Sequence, residues 1–252
     1  MNIEHTHAQL LELLITFDGF CQEKDIKYTL HGGSLLGAIR EKGFIPWDDD
    51  LDVAMTRQEY EKLRCALERS TGYHIAGNLK KQFRLQGKSD CWIDIFICDY
   101  ISEKPFQQRL KLFFLTALDI MSRDKSTVQL SDFSKYGKGK QSAFRLLYLF
   151  GRLFPTRIKG RLYTKISRDL WTGNRKLYVR SNDQYSGREK VFPVEWMEGY
   201  ETVPFGSTQA SVSTYYHNLL ISFYGENYMI PRKDDRNGQV HEIIRAEGDI
   251  RL

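Results

Sequence analysis

The segment from Asp48 to Met55, Asp-Asp-Asp-Leu-Asp-Val-Ala-Met, constrains this chain more than any other. Toward its end it alternates acid with apolar residue, as a strand with one buried face does. On such a strand Asp50 and Asp52 project to the same side. Carboxylates that close repel one another unless a cation lies between them. Oxygen ligands in that arrangement suit Mg2+ or Mn2+. Downstream, Cys91 to Cys98 reads as a second strand, with Trp92-Ile93-Asp94-Ile95-Phe96-Ile97 at its centre. Asp94 is the only acid in that run, and a buried acid needs a partner. A cation shared with Asp50 and Asp52 would supply one. In the competing reading Asp48 to Asp50 form a solvated turn and Asp94 pairs with a basic residue.

Upstream of the acids, Tyr28 to Leu30 reads as a short strand, His31-Gly32-Gly33-Ser34 breaks it, and Leu35 to Glu41 has helical character. Glycines between a strand and a helix allow a tight turn and close backbone approach. Ser34 is placed to cap the helix, and the free amides at the helix start suit a phosphate. The spacing is neither a Walker A loop nor a dinucleotide fingerprint. A purely structural turn explains the same residues. The adjoining acids are what turn it into a candidate phosphoryl-transfer site, with a phosphate held by the turn and a metal by the next strand.

The rest of the chain supplies the frame. His7 to Glu23 carries Leu10, Leu13, Leu14, Phe17 and Cys21 at helical spacing, and Glu59 to Arg69 is a further helix. Phe106 to Trp171 reads mostly helical, with breaks at Tyr136 to Lys140 and at Gly151 to Thr156. Lys190 to Pro193 and Glu201 to Pro204 read as short strands, and Ser213 to Tyr224 as an aromatic helix. The fold class expected is α+β, a mixed sheet flanked by helices.

Charge is unevenly placed. The chain carries +5, yet no acidic residue lies between Phe133 and Arg168. Ten of its 37 basic residues fall in that stretch, which leaves 27 against 32 acidic residues elsewhere. Such a field favours a polyanionic partner. The stretch is also apolar, with Phe144, Leu146, Leu147, Tyr148, Leu149, Phe150, Leu153 and Phe154 between the charges. Burial of that block on the core is one reading. An interfacial helix is another, its apolar side in lipid and Arg145, Arg152 and Arg157 facing anionic headgroups. A nucleic-acid surface is the least favoured, having no use for the leucines. The four cysteines form no CxxC pair and read as small buried hydrophobes in a reducing compartment. Met1 to Gln9 lacks the layout of a signal peptide. A cytoplasmic protein is expected, and the interfacial reading of the basic stretch would place it peripherally on the inner face of a membrane.

His31 to Met55, HGGSLLGAIREKGFIPWDDDLDVAM, resembles the signature of the LicD family. These are lipopolysaccharide and teichoic-acid phosphocholine transferases, with the fukutin-related proteins as more distant relatives. The likeness rests on the Gly-Gly-Ser turn, Leu35-Leu36-Gly37, Arg40, Gly43, Ile45-Pro46-Trp47 and the triple acid followed by Asp52. Asp94 resembles the acid of the family's second acidic strand. Tyr224-Gly225-Glu226-Asn227-Tyr228-Met229 with Pro231, then His241, is similar to its closing motif, although a second proline is missing and Asn227 stands where a second acidic or polar residue is usual.

The resemblance implies a nucleotidyltransferase-like fold with Mg2+ (or Mn2+) bound by Asp50, Asp52 and Asp94, which are also the catalytic residues. Gly32, Gly33, Ser34 and Arg40 would bind the donor phosphates. Trp47, Asp49, Trp196 and His241 are candidates for substrate contact, the tryptophans through cation–π attraction to a quaternary ammonium, although a tryptophan serves as core more often than as a cage. The implied donor is CDP-choline or another CDP-alcohol, and the acceptor a cell-surface glycan or its lipid-linked precursor. Three parts are expected: a catalytic core over 1–105, a helical basic insert over 106–182, and a portion over 183–252 completing the catalytic domain. Two other functions fit the residues less well. One is nucleotidyl transfer to a small molecule or to RNA. The other is a binding protein without catalysis, which would not need all three acids.

Overall fold

The computed structural model describes residues 3–70, 72–77, 79–85, 91–123, 138–183 and 188–231. Contacts divide the chain into two units: one holds the residues up to Cys98 together with those from Val194 on, the other Asp99–Pro193. The fold is α+β, as expected.

The first unit opens with helix α1 (Ile3–Glu23), which buries Leu10, Leu13, Leu14, Phe17 and Cys21, the row its helical spacing predicts. Strand β1 (Thr29–Leu30) is short because the glycines follow it, and helix α2 (Gly32–Arg40) begins at once. Strand β2 (Asp52–Thr56) leads directly into helix α3 (Arg57–Leu67), whose first turn is capped by the Thr56 hydroxyl accepting from the Glu59 amide. Strands β3 (Tyr73–Ala76) and β4 (Lys81–Leu85) form an antiparallel pair, and β4 pairs antiparallel with β5 (Ile93–Ile101). β2 runs parallel to β5, giving the strand order β1-β2-β5-β4-β3.

From Val194 the chain rejoins this unit through a single 3-10 turn (Val194–Met197). A hairpin of β8 (Tyr200–Phe205) and β9 (Thr208–Ser213) and helix α7 (Tyr216–Tyr224) follow, after elements of the second unit given below. The Ser211 hydroxyl donates to the Tyr28 carbonyl at 2.7 Å, and the Ser213 amide donates to Thr29 Oγ1 at 2.9 Å. Phe223 of α7 meets the His31 ring edge-on at 5.0 Å.

The second unit holds three helices, α4 (Pro105–Ser122), α5 (Lys138–Gly151) and α6 (Thr156–Asp169), and the antiparallel strands β6 (Leu177–Arg180) and β7 (Val191–Pro193). The break predicted at Gly151 to Thr156 falls between α5 and α6. The one predicted at Tyr136 to Lys140 lies partly outside the described residues, and α5 already runs from Lys138. α5 and α6 both pack on α4. Buried bases hold this unit together through carbonyls and acids. Lys111 donates to the Tyr100 carbonyl at 2.6 Å, and Arg188 to Asp119 at 2.8 Å. Neutral carbonyls accept such charge-assisted bonds well, which makes a buried lysine tolerable.

All four cysteines are free. Cys21 and Cys98 are buried as expected, but Cys65 is exposed. It sits on the outer side of α3, whose inner side is taken by Tyr60, Leu63 and Leu67.

Candidate active site

Parallel pairing of β2 with β5 sets Asp52 directly opposite Asp94. Their approach is fixed by backbone: the Asp94 amide donates to the Leu51 carbonyl at 2.9 Å, and the His31 amide donates to the Asp52 carbonyl at 2.9 Å. The glycine turn is thereby tied to the acid strand. The Asp52 amide in turn donates to Ser34 Oγ at 2.9 Å. Ser34 does not cap α2, as its position suggests; His31 is the N-cap residue, with no side-chain cap bond, and Ser34 is buried. The serine hydroxyl serves to hold β2 against the first turn of α2.

Gly32 is the residue that only glycine suits. Its φ is +54°, and an added Cβ would lie 3.2 Å from Asp52 Oδ2. The left-handed backbone strains any side chain there, and the Asp52 carboxylate would have to give by a few tenths of an ångström. Gly32→Ala is expected to cost about 1 kcal/mol or more from the backbone alone, and to disturb Asp52 as well. Urea unfolding read beside the activity of the folded fraction separates the two effects.

Asp50 does not lie on the strand. β2 begins at Asp52, and Asp50 stands two residues before it, half-buried. It is nevertheless close enough to Asp94 to repel its charge. Burial is the larger influence and pushes the Asp94 carboxyl above the usual carboxylate range. Hydrogen bonds from Gln82 and Trp92 and the charge of Lys80 pull the other way. One oxygen of Asp94, Oδ1, is buried without a hydrogen-bond partner. Such an atom is costly in a fold and calls for a proton, a water or a cation beside it. Among the described residues no three acid, histidine or cysteine side chains are gathered closely enough to hold a metal ion, so the acids here amount to the facing pair Asp52 and Asp94 with Asp50 near Asp94.

Asp48 and Asp49 are buried, 3% and 9% exposed, so the triple acid is not a solvated turn. The Asp48 carbonyl accepts from His7 Nε2 at 2.6 Å, and the His7 ring stacks on Phe44 at 4.6 Å. Arg40 lies in the last turn of α2 with its side chain only 5% exposed, paired to Glu41 at 2.7 Å. Trp47 and Trp196 are both half-buried; the Trp196 carbonyl accepts from Ser213 Oγ at 2.6 Å. His241 lies outside the described residues. Arg145, Arg152 and Arg157 are exposed on the second unit.

Gln82 is a neighbour that sequence reasoning missed. It stands opposite Asp94 across the β4–β5 pair and bonds its carboxylate. The signal was the alternation in Lys81-Gln82-Phe83-Arg84-Leu85, where Phe83 alone is buried.

A parallel strand pair thus carries facing acids, and the Gly-Gly-Ser start of α2 is tied to it. Residues 25–136 match the family described as the LicD/FKTN/FKRP, nucleotidyltransferase domain. Among its relatives is the lipopolysaccharide cholinephosphotransferase LicD of Haemophilus influenzae, 29% identical with 94% of each chain covered. An uncharacterized protein of Rickettsia typhi is 38% identical over 37% of this chain and 30% of its own length. A second, from Rickettsia prowazekii, is 33% identical over 30% of this chain and 27% of its own.

Proposed function

We propose that this protein is a transferase that moves phosphocholine from CDP-choline to a hydroxyl of a lipopolysaccharide or related cell-surface glycan, before or after that glycan is joined to its lipid carrier. The observation that carries this reading is the likeness to the Haemophilus influenzae cholinephosphotransferase across 94% of both chains. The facing pair Asp52 and Asp94, beside the glycine turn, supports it. A cytoplasmic working place agrees with a nucleotide donor.

Asp50, Asp52 and Asp94 would hold Mg2+ or Mn2+, which when bound neutralises the donor diphosphate. The amides of Gly32 and Gly33 open a helix and suit a phosphate oxygen. Arg40 adds positive charge at the other end of the same helix. Asp94, with an oxygen left unpartnered, accepts the proton of the acceptor hydroxyl. The acceptor oxygen then bonds to the phosphorus bearing choline, the bond from that phosphorus to the bridging oxygen breaks, and CMP leaves. Trp47 and Trp196 offer aromatic faces to the trimethylammonium group, and Asp49 a nearby negative charge.

The test is incubation of the purified protein with CDP-choline and a lipopolysaccharide acceptor, with and without a chelator. Product mass is read together with free CMP. Phosphocholine on the acceptor and CMP in equal amount is the expected result, abolished by chelation. A cytidylyl group on the acceptor would replace this reading with nucleotidyl transfer. Transfer from a different CDP-alcohol alone would keep the chemistry and change the donor.

A further inference from the structure

Within the second unit, α5 and α6 turn an apolar row outward. Leu146, Leu149 and Phe150 fall at helical spacing on α5 and Leu153 stands in the turn after it; the four are 68%, 59%, 53% and 74% exposed. Ile158 and Leu162 follow on α6, one turn apart, at 54% and 45%. Apolar residues scattered singly on a surface need no explanation, but a continuous row does. Burial against the protein, one of the readings open from sequence, does not account for them. The residues that do turn inward are Leu115, Leu118 and Ile120 of α4 and Tyr163 of α6.

The same stretch is positive. Arg145, Arg152, Arg157, Arg161 and Lys165 are all exposed, in a stretch with no acidic residue from Phe133 to Arg168. Lys159 shows the contrast. It is buried, and its ammonium donates to the carbonyls of Met121 at 2.7 Å and Gly151 at 2.9 Å, fastening α6 to the ends of α4 and α5. The fold uses that lysine internally and leaves the others to water.

We infer that the outward face of α5 and α6 is a docking surface for an anionic lipid bilayer. Its leucines and Phe150 enter the boundary between headgroups and acyl chains, and its arginines meet the headgroup charge. Charge complementarity selects this partner. A second copy of the same face would set arginine against arginine. A nucleic acid would satisfy the arginines and leave the leucines in water. Among the described residues no helix is long and apolar enough to cross a membrane, so the surface rests on the bilayer.

The test needs neither donor nor acceptor, so its result is independent of the proposed transfer. The full chain is centrifuged with phosphatidylcholine vesicles and with vesicles also containing phosphatidylglycerol. It should pellet with the anionic vesicles alone and be released by high salt. Changing Arg145, Arg152 and Arg157 together to Glu should lower partitioning roughly a hundredfold. Changing Leu149 and Leu153 to Gln, which keeps the charge, should lower it about tenfold or more. Circular dichroism should match the parent for both variants, since every altered side chain is exposed. Three results would overturn the inference: no pelleting at low salt, equal pelleting with neutral vesicles, or a leucine variant that binds like the parent. A lipid-free dimer that the leucine variant dissolves would also overturn it, making the face a subunit contact.

Discussion

Replacing Asp94 by Asn is expected to lower phosphocholine transfer by about a hundredfold to a thousandfold while leaving the protein folded. The strand does not depend on the side chain, because its place is set by the Asp94 amide on the Leu51 carbonyl and by the register with β2. The carboxylate, in contrast, is held at a cost. Burial and Asp50 both raise its pKa above 3.8. A raised carboxyl pKa means that the folded state binds a proton more tightly than the unfolded state. Stability therefore falls as pH rises from the unfolded pKa through the raised one, and the penalty is complete above it. The neutral amide removes that penalty, so the variant should melt no lower than the parent at pH 7. Adding Mg2+ or Mn2+ should raise the melting temperature of the parent and leave the variant nearly unmoved, since ligand binding stabilises only a fold that has the site. Transfer within tenfold of the parent would remove Asp94 from the chemistry.

The largest loss of stability is expected at Phe17. Its side chain is 0% exposed and meets Tyr28 and Phe83 edge-on, each with ring centroids 5.0 Å apart. Those rings come from α1, from the residue before β1 and from β4, so one side chain joins a helix to two parts of the sheet. Tyr28 is itself held by its hydroxyl, which donates to Asp18 at 2.7 Å. Phe17→Ala should cost about 3–5 kcal/mol, the sum of lost transfer energy and a cavity the rings cannot close. Ile15, on the same helix and 49% exposed, is the control; its change to Ala should stay within about 0.5 kcal/mol. Urea unfolding of both variants decides. A small effect at Phe17 would mean that α1 contributes little to the cooperative unit.

The sequence made the frame around the site readable where period and punctuation agreed. α1 follows from its apolar spacing, and α2 from the Leu35 to Glu41 run behind the glycines of its first turn. β5 follows from a run in which Asp94 is the only acid. β3 and β4 were not seen. His74, Lys81, Gln82 and Arg84 make those strands largely polar, and β3 lies at the sheet edge, where one-sided burial weakens the pattern. Missing β4 hid Gln82, which reaches Asp94 only through strand pairing. Ser34 was read as a cap because capping is a local property, whereas its bond to the Asp52 amide is between segments. In the basic stretch the periodicity of α5 revealed an apolar face but not its direction. Which side meets the core depends on α4, not on α5 itself.

The unit that carries the acids is also discontinuous along the chain, and this bears on its synthesis. The bonds Ser211 to Tyr28 and Ser213 to Thr29 link residues 183 and 184 positions apart. Until the β8–β9 hairpin leaves the ribosome, β1 lacks those partners. Asp99–Pro193 is contiguous and can acquire its structure first. The nascent protein thus carries its acids on an incomplete scaffold until then, and the strand beside the glycine turn gains its last contacts long after its own residues have been made.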